Sequence, residues 1–284
     1  MEELTKRIYV ETRYPGTNVG LIVSERGLVM VDSPYMPKDA LDFRKQIQEI
    51  GGGEVIYLIN TDHHGDHVAC GGFFTQNIVL QERSLDPLEV SRLMTIERTG
   101  QVLEDEDAST ELKDTIRLME LPRPHIVFSD RISFNMGDLT IQVVHTGGHT
   151  VGTSYVFVPE EKAVFCGDNV VSGRFPYMGQ GTYRTWANAL KQILALDAEM
   201  IIPGHETPCD KETVQQLLKF MEDLEASAWQ LFNGIHREHM PPKRADELAA
   251  FFPGIAGWPK PAEEAMALVV RRMYEQLTGQ ALSL

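Results

Sequence analysis

Cysteine, long apolar runs and positive charge are all scarce in this chain of 284 residues. The three cysteines, Cys70, Cys166 and Cys209, are too few for a disulfide scaffold. No apolar run reaches the roughly 18 residues that a transmembrane helix needs, and residues 1–10 lack the pattern of a secretory signal peptide. We therefore expect a cytoplasmic protein without a membrane partner.

The charge balance argues against a further class of partner. Lys and Arg number 26 and Asp and Glu number 41, which gives a formal net charge of −15. Binding to a nucleic-acid backbone requires clustered positive charge, so no nucleic-acid partner is expected. With 43% apolar and 24% charged residues, the composition is that of a soluble globular protein. A chain of this length can bury a sizeable core in one large or two small domains.

Strand-like and helix-like segments recur in both halves of the chain. Residues 7–12, 18–24 and 27–32 form a predicted antiparallel meander, which a helix over 38–50 follows. Further strands are predicted at 55–60, 78–81, 126–128, 132–134, 139–145, 154–158, 163–166 and 200–202, and helices at 84–120 and 182–196. This order predicts two packed sheets flanked by helices over residues 1–210. Residues 211–284 are predicted to be a helical C-terminal extension packed on that domain.

The most informative stretch, residues 60–67, follows a predicted buried strand and contains side chains that bind divalent cations. Alternate residues of an extended segment point the same way, so Asp62, His64 and Asp66 can converge. His67 follows the turn and can reach a second ion, while His63 points away and is expected to flank the site. The segment therefore predicts a metal centre.

Three more candidate ligands occur at the ends of predicted strands, and each lies beside a glycine. They are His149 in Gly148-His149, Asp168 in Gly167-Asp168, and His205 in Gly204-His205. Glycine allows the backbone to turn sharply and leaves room for an ion and its ligands. These residues are therefore expected to complete the metal centre.

Together, these motifs resemble those of the metallo-β-lactamase superfamily over about residues 7–210. The usual order in that family is His-x-His-x-Asp-His, then Gly-His, then Asp or Cys, then Gly-His. Residues 62–67, 149, 168 and 205 follow this order. Residues 18–22 and 31–33 are also similar to the family's opening strands. The resemblance implies an α/β fold, a four-layer αββα sandwich, with a helical C-terminal extension.

The resemblance also implies a dinuclear site, with Asp168 as the bridge between two groups of ligands, as in glyoxalase II-like members. The implied groups are Asp62, His64 and His149 for site 1, and Asp66, His67 and His205 for site 2. Asp62 stands where the family has its first histidine. We expect two divalent metal ions, with zinc favoured. Because a carboxylate is a harder ligand than imidazole and suits oxygen-liking metals, manganese or iron are alternatives. Asp62 has a second interpretation as a supporting or capping carboxylate.

The implied activity is hydrolysis by a hydroxide held between two ions about 3.5–4 Å apart. Asp66 would bind metal and orient the nucleophile, and the substrate would be a small ester, thioester, lactone or related molecule. β-Lactam or phosphodiester hydrolysis is an alternative. A mononuclear iron oxidoreductase of the persulfide dioxygenase type is another, although that type uses the first motif histidine, which is Asp62 here. A metal-binding protein without catalysis is a further alternative, against which the rest of the motif argues.

Substrate contacts are expected from the segment that follows Asp168. Arg174 could hold a carboxylate through two hydrogen bonds, and Tyr177 and Tyr183 could donate to an oxyanion or pack on the substrate. Asp32, at the end of a buried strand, is either a turn residue or a hydrogen-bond partner of a ligand histidine. The apolar face of residues 262–277 fits packing on the core or on a partner chain, so a homo-oligomer is an open expectation.

Overall fold

The computed structural model describes residues 1–119, 121, 123–233, 269, 272, 273 and 276. Within these residues the strands form two sheets. In spatial order, the first sheet contains β1 (Glu2–Glu3), β2 (Ile8–Glu11), β3 (Val19–Ser24), β4 (Gly27–Val31), β5 (Val55–Ile59), β6 (Ile78–Gln81) and β7 (Ile126–Phe128). Strands β1 to β4 run antiparallel, which confirms the predicted meander, and β4 to β7 pair in parallel.

The second sheet is built from the later strands of the chain. Its spatial order is β12 (Met200–Ile202), β11 (Ala163–Phe165), β10 (Ser154–Val158), β9 (Thr140–His145) and β8 (Arg131–Asn135). Only the pairing of β11 with β12 is parallel, since α5 lies between these two strands in the sequence. Each of these strands was predicted to within a residue or two.

The helices in the described part of the chain cover the outer faces of both sheets. They are α1 (Pro37–Glu49), α2 (Gly65–Val68), α3 (Leu85–Glu104), α4 (Thr110–Leu118), α5 (Tyr183–Ala195) and α6 (Lys211–Asn233). Helix α1 ends where Gly51 adopts a φ of +83° and the Gly52 N–H donates to the Ile47 carbonyl. Helix α5 begins after Thr182, whose side chain accepts from the Thr185 N–H.

Three apolar clusters hold the four layers together. The two sheets meet through residues such as Val31 and Ile59 from the first and Val143 and Val156 from the second. Phe43 of α1 packs on the outer face of the first sheet. A third cluster joins the outer face of the second sheet to α5 and α6. These layers confirm the predicted αββα sandwich, in which burial of apolar surface between layers is the main source of stability.

Helix α6 packs directly on α5. Leu217 and Leu224 of α6 lie in one buried cluster with Trp186 of α5, and Val269 and Met273 belong to the same cluster. Most of the predicted C-terminal extension beyond α6, including most of the run 262–277, lies outside the described residues. The domain boundary at residue 210 stays a prediction. In the part of the chain that the structure describes, no helix is long and apolar enough to cross a bilayer.

Hydrogen bonds between the two sheets fix one edge of the sandwich. The Ser154 N–H, at the start of β10, donates to the Thr61 carbonyl after β5 at 2.9 Å. The Asn18 N–H donates to the Gly204 carbonyl after β12 at 2.6 Å. These bonds place the ends of β5 and β12 at the same edge, and β11 ends there too because it pairs with β12 in parallel, so the loops after these three strands lie together.

Candidate metal centre

The loop after β5 carries the first candidate ligands. Asp62 is fully buried, and its carboxylate accepts the backbone N–H of His63 at 2.7 Å and that of His64 at 3.0 Å. The chain then enters the single turn of α2, which contains Asp66 and His67. This change from an extended segment to a helical turn is what separates the side chains of Asp62 and His64 from those of Asp66 and His67.

The loop between β9 and β10 delivers His149 to the same edge. Gly148 adopts a φ of +115°, and a Cβ atom there would lie 2.1 Å from Asn169 Oδ1. Because glycine permits this approach, Asn169 Oδ1 accepts the His149 N–H at 2.9 Å. The Asn169 amide also donates to the Gly147 carbonyl at 2.8 Å. The glycine pair thus allows Asn169 to hold the loop of His149.

Asp168 and His205 come from the loops after β11 and β12. Gly204 is packed against Asp168 so closely that a Cβ atom there would lie 2.0 Å from Asp168 Oδ1. His205 Nε2 consequently lies 3.3 Å from Asp168 Oδ1 and 3.4 Å from Asp66 Oδ2. The sequence places a glycine before each candidate ligand. At Gly148 and Gly204 the reason is steric, because a side chain there would clash with Asn169 or Asp168.

The structure brings the predicted ligands together in two groups of three. Ligating atoms within each group lie within 4.8 Å of one another, and the groups are Asp62, His64, His149 and Asp66, His67, His205. Asp168 lies between them, with Oδ2 at 3.5 Å from His149 Nε2 and Oδ1 at 3.6 Å from His67 Nε2. This arrangement has the geometry expected of a bridging carboxylate.

The hydrogen bonding of two buried atoms indicates whether the centre fits a cation. His67 Nε2 and Asp168 Oδ1 have no hydrogen-bond partner among the described residues, although both are shielded from solvent. Leaving such atoms unpaired is costly, and imidazole nitrogen and carboxylate oxygen are ligands of first-row divalent cations. The residues present therefore fit a metal ion, which His67 and Asp168 would bind together.

A supporting hydrogen bond sets the orientation of His67. Asp32 Oδ2 lies 2.9 Å from His67 Nδ1, so this nitrogen carries a proton, and Nε2 is the nitrogen whose lone pair would face a bound metal ion. Asp32 adopts a φ of +58° and also accepts the N–H and hydroxyl of Thr61 at 2.8 and 2.6 Å. It is thus both the turn residue and the histidine partner that the sequence left as alternatives.

Opposite charges perturb the titration of the buried groups. Burial alone would raise the pKa of Asp168, but the positive charge of His67 and the close approach of the His205 ring hold it well below its usual range. Burial lowers the pKa of His205, yet the nearby carboxylates of Asp168 and Asp66 raise it to about 9. Burial is also the main cause of the lowered pKa of His149. Asp168 therefore stays ionised at neutral pH, and a bound cation would neutralise its negative charge.

A cavity of about 600 Å³ opens above the two groups, and Arg174 and Tyr177 are among its lining residues. Tyr183 lies elsewhere. Its ring is buried in the cluster between the second sheet, α5 and α6, and its hydroxyl donates to Glu225 at 3.0 Å. Tyr183 is not among the described residues that line the cavity. The first turn of α5 directs this ring into the core, so the expected substrate contact is not supported here.

Several lining residues were not singled out from the sequence. Gln180 faces His63, with Oε1 at 3.1 Å from its Nε2, and His63 also lines the cavity beside His64. Val90 and Met94 of α3 form part of the wall and are 62% and 49% exposed. Their spacing of four residues was a readable signal, since it places both on one helix face.

The comparisons with known proteins decide the family. A family model described as the metallo-β-lactamase superfamily matches residues 13–205. The chain belongs to the metallo-β-lactamase superfamily. Among curated members, it is 24% identical over 237 residues to a metallo-β-lactamase type 2 from Elizabethkingia meningoseptica, covering 78% of this chain and 85% of that one. It is 26% identical over 200 residues to a hydroxyacylglutathione hydrolase from Rhizobium meliloti, covering 66% of this chain and 62% of that enzyme.

Solved structures show the same fold. A metallo-β-lactamase family protein from Thermus thermophilus superposes with a TM-score of 0.67 at 19% identity, over 98% of this chain and 95% of that one. A sec-alkylsulfatase from Pseudomonas sp. superposes with a TM-score of 0.67 at 15% identity, over 98% of this chain and 50% of that one. The predicted family and fold class are confirmed, and the superfamily relatives place the chain among metal-dependent hydrolases.

Proposed function

We propose that this metallo-β-lactamase superfamily protein is a dinuclear metal-dependent hydrolase of a small ester, thioester or lactone. The observation that carries the proposal is the pair of candidate ligand groups with Asp168 between them, at one cavity whose lining includes His64, His149, Asp66, His205 and Asp168. Zinc is the ion we favour, because four of the seven predicted ligands are histidines and imidazole suits zinc.

When bound, two divalent ions would polarise the scissile bond and lower the pKa of water. The protein's own contribution is to hold the acceptors in place. Asp66 lines the cavity, and its carboxylate is oriented by His205 at 3.4 Å. In this proposal Asp66 orients the nucleophilic water and accepts its proton, while Asp32 keeps the lone pair of His67 directed at the centre.

The walls of the cavity favour an acyl substrate with an apolar part. Pro87, Val90 and Met94 of α3 give one wall an apolar surface. Arg174 is the one Lys or Arg side chain among the described lining residues, and its guanidinium could hold a carboxylate. Tyr177 is 55% exposed and could pack on the substrate or donate to a developing oxyanion. A small molecule with an apolar acyl group and one carboxylate would suit these walls.

The names of the curated relatives support two of the candidate reactions. Hydroxyacylglutathione hydrolases recur among them, which favours acyl-bond cleavage. The metallo-β-lactamase type 2 makes β-lactam hydrolysis the second candidate. Phosphodiester hydrolysis and the mononuclear iron oxidoreductase remain alternatives for the experiment.

The test is a substrate panel with metal-loaded protein. Initial rates would be measured on thioesters, aryl esters, lactones, β-lactams and phosphodiesters, with oxygen consumption followed in parallel. We expect turnover of the acyl substrates and its loss in Asp66→Asn, whereas Asp107→Asn, an exposed carboxylate between α3 and α4, should behave as the wild type. Turnover of β-lactams alone would support the second candidate. Oxygen consumption by a protein with a single iron would refute the proposal.

A further inference from the structure

Asp62 is the residue at which this chain departs from its family, and its carboxylate is completely surrounded by hydrogen-bond donors. Oδ1 accepts the backbone N–H groups of His63 and His64 at 2.7 and 3.0 Å. Oδ2 accepts the hydroxyls of Thr150 and Thr153 at 2.9 and 2.8 Å. The side chain is 0% exposed, so water does not compete for these donors.

A carboxylate offers about four lone-pair positions, and the protein uses all four at Asp62. The contrast with the rest of the centre is direct. His67 Nε2 and Asp168 Oδ1 are buried without a partner among the described residues, whereas neither oxygen of Asp62 is. Binding an ion through Asp62 would cost one of its hydrogen bonds and leave a buried donor unpaired, which is unfavourable.

The four hydrogen bonds connect the two loops that carry His64 and His149. The bonds from His63 and His64 close the turn after β5, and the hydroxyls of Thr150 and Thr153 belong to the turn that follows His149. The ring nitrogens His64 Nδ1 and His149 Nε2 lie 3.2 Å apart. Through these bonds Asp62 fixes how far one loop lies from the other, and hence the spacing of the two histidines.

We propose that Asp62 is a positioning residue that ties these two loops together and is not a metal ligand. The inference rests on the proposed dinuclear function for the presence of two ions. Site 1 would then bind its ion through His64, His149 and the shared Asp168. Site 2 would bind through Asp66, His67, His205 and Asp168. With one protein ligand fewer, site 1 should bind its ion more weakly than site 2.

Two substitutions distinguish a positioning residue from a ligand, because the two roles predict opposite changes in metal binding. A ligand must give up one hydrogen bond to bind its ion, so the loss of one hydroxyl donor would not weaken it, whereas a positioning residue would lose part of its hold on the two loops. Asp62→Asn keeps an oxygen for the backbone N–H groups, and its amide can donate to the hydroxyl oxygens of Thr150 and Thr153. It therefore preserves the network while removing the negative charge that makes a carboxylate a strong ligand. Thr150→Val removes one hydroxyl donor and leaves every candidate ligand in place, and Thr150→Ser is its matched control because it retains the hydroxyl.

The measurement is metal stoichiometry by elemental mass spectrometry after dialysis against limiting Zn²⁺, with affinities from calorimetric titration. If Asp62 positions the loops, Asp62→Asn should retain both ions, and Thr150→Val should weaken site 1 by about tenfold, the lower end of the effect of removing a supporting partner. Thr150→Ser should match the wild type. Thermal unfolding of the metal-free variants would show that each one folds.

The opposite pattern would overturn the assignment. If Asp62→Asn binds one ion fewer while Thr150→Val binds both as tightly as the wild type, Asp62 is a ligand. Should Asp62→Asn fail to fold, the comparison of Thr150→Val with Thr150→Ser still decides. The measurement counts ions and needs no turnover. A chain that hydrolyses none of the substrates but shows the expected binding pattern would refute the proposed function and support the role of Asp62.

Discussion

Asp32 offers the sharpest prediction about how the protein prepares a ligand. Its Oδ2 lies 2.9 Å from His67 Nδ1 and accepts the Thr61 hydroxyl, while its Oδ1 accepts the Thr61 N–H. In Asp32→Asn, the backbone N–H of Thr61 still requires an acceptor, so the amide oxygen takes the Oδ1 position and the NH₂ group faces His67. His67 Nδ1 must then accept, which places the imidazole proton on Nε2, the atom that would bind metal.

Asp32→Asn should therefore weaken metal binding more than it destabilises the fold. Asparagine tolerates the φ of +58° found here, and weakening the charge-assisted hydrogen bonds should lower the free energy of unfolding by roughly 1–3 kcal/mol. Metal affinity should fall about 10- to 100-fold, as for other partners of metal-binding histidines. Asp32→Ala should lose a further 1–2 kcal/mol or so, because alanine is strained in the left-handed region.

Competition with a chromophoric chelator would give the metal affinity, and urea unfolding of the metal-free protein would give the stability. Nitrogen-15 chemical shifts of the His67 ring would report which nitrogen carries the proton. Wild-type affinity in Asp32→Asn, or an unchanged tautomer of His67, would refute the reasoning. An exposed carboxylate changed in the same way, Asp107→Asn, controls for the loss of charge.

Three further predictions concern the centre and its cavity. Asp168→Ala should lose the ion at site 1, where only His64 and His149 would remain, together with hydrolysis, measured by elemental analysis and initial rates; retention of both would show that Asp168 is not the bridge. Val90→Asp and Met94→Asp should each raise the KM for apolar acyl substrates roughly tenfold, whereas Leu93→Asp, similarly exposed on α3 but outside the cavity lining, should not. Because the pKa of His205 is raised to about 9, it is protonated at neutral pH in the metal-free protein. Zn²⁺ binding should therefore release a proton and tighten as pH rises towards that value, which calorimetry in buffers of different ionisation enthalpy would detect; binding that does not depend on pH would contradict this.

The sequence was sufficient for the parts of the structure that depend on local pattern. Strands β6 (Ile78–Gln81) and β7 (Ile126–Phe128) coincide with their predicted ranges because short apolar runs between turn signals are read directly. The motif order also led us to expect the two groups of residues that the structure brings together, and their role as ligands stays a prediction. The order of the motifs was enough to predict these two groups, because each motif lies at the end of a strand and those strand ends meet at one edge of the sandwich.

The sequence was insufficient where the outcome depends on contacts between distant segments. Thr150 and Thr153 follow Asp62 by 88 and 91 residues, and threonine after a glycine-rich loop has no distinguishing pattern. Tyr183 lies close in sequence to lining residues of the cavity, yet the helical phase of α5 turns its ring into the core. The sequence analysis missed the apolar wall on α3, because an exposed apolar residue indicates a binding surface only when it lies beside a site, and the sequence alone did not show that α3 borders one.

The most direct test of the account measures bound metal and hydrolysis on the same samples. Protein stripped with a chelator would be reconstituted with increasing Zn²⁺, and each sample would be assayed for metal content and for the initial rate on a thioester. The account predicts no activity in the stripped protein and a maximal rate when about two ions are bound per chain. A rate that is independent of bound metal, or full metal binding without hydrolysis of any acyl substrate, would contradict it.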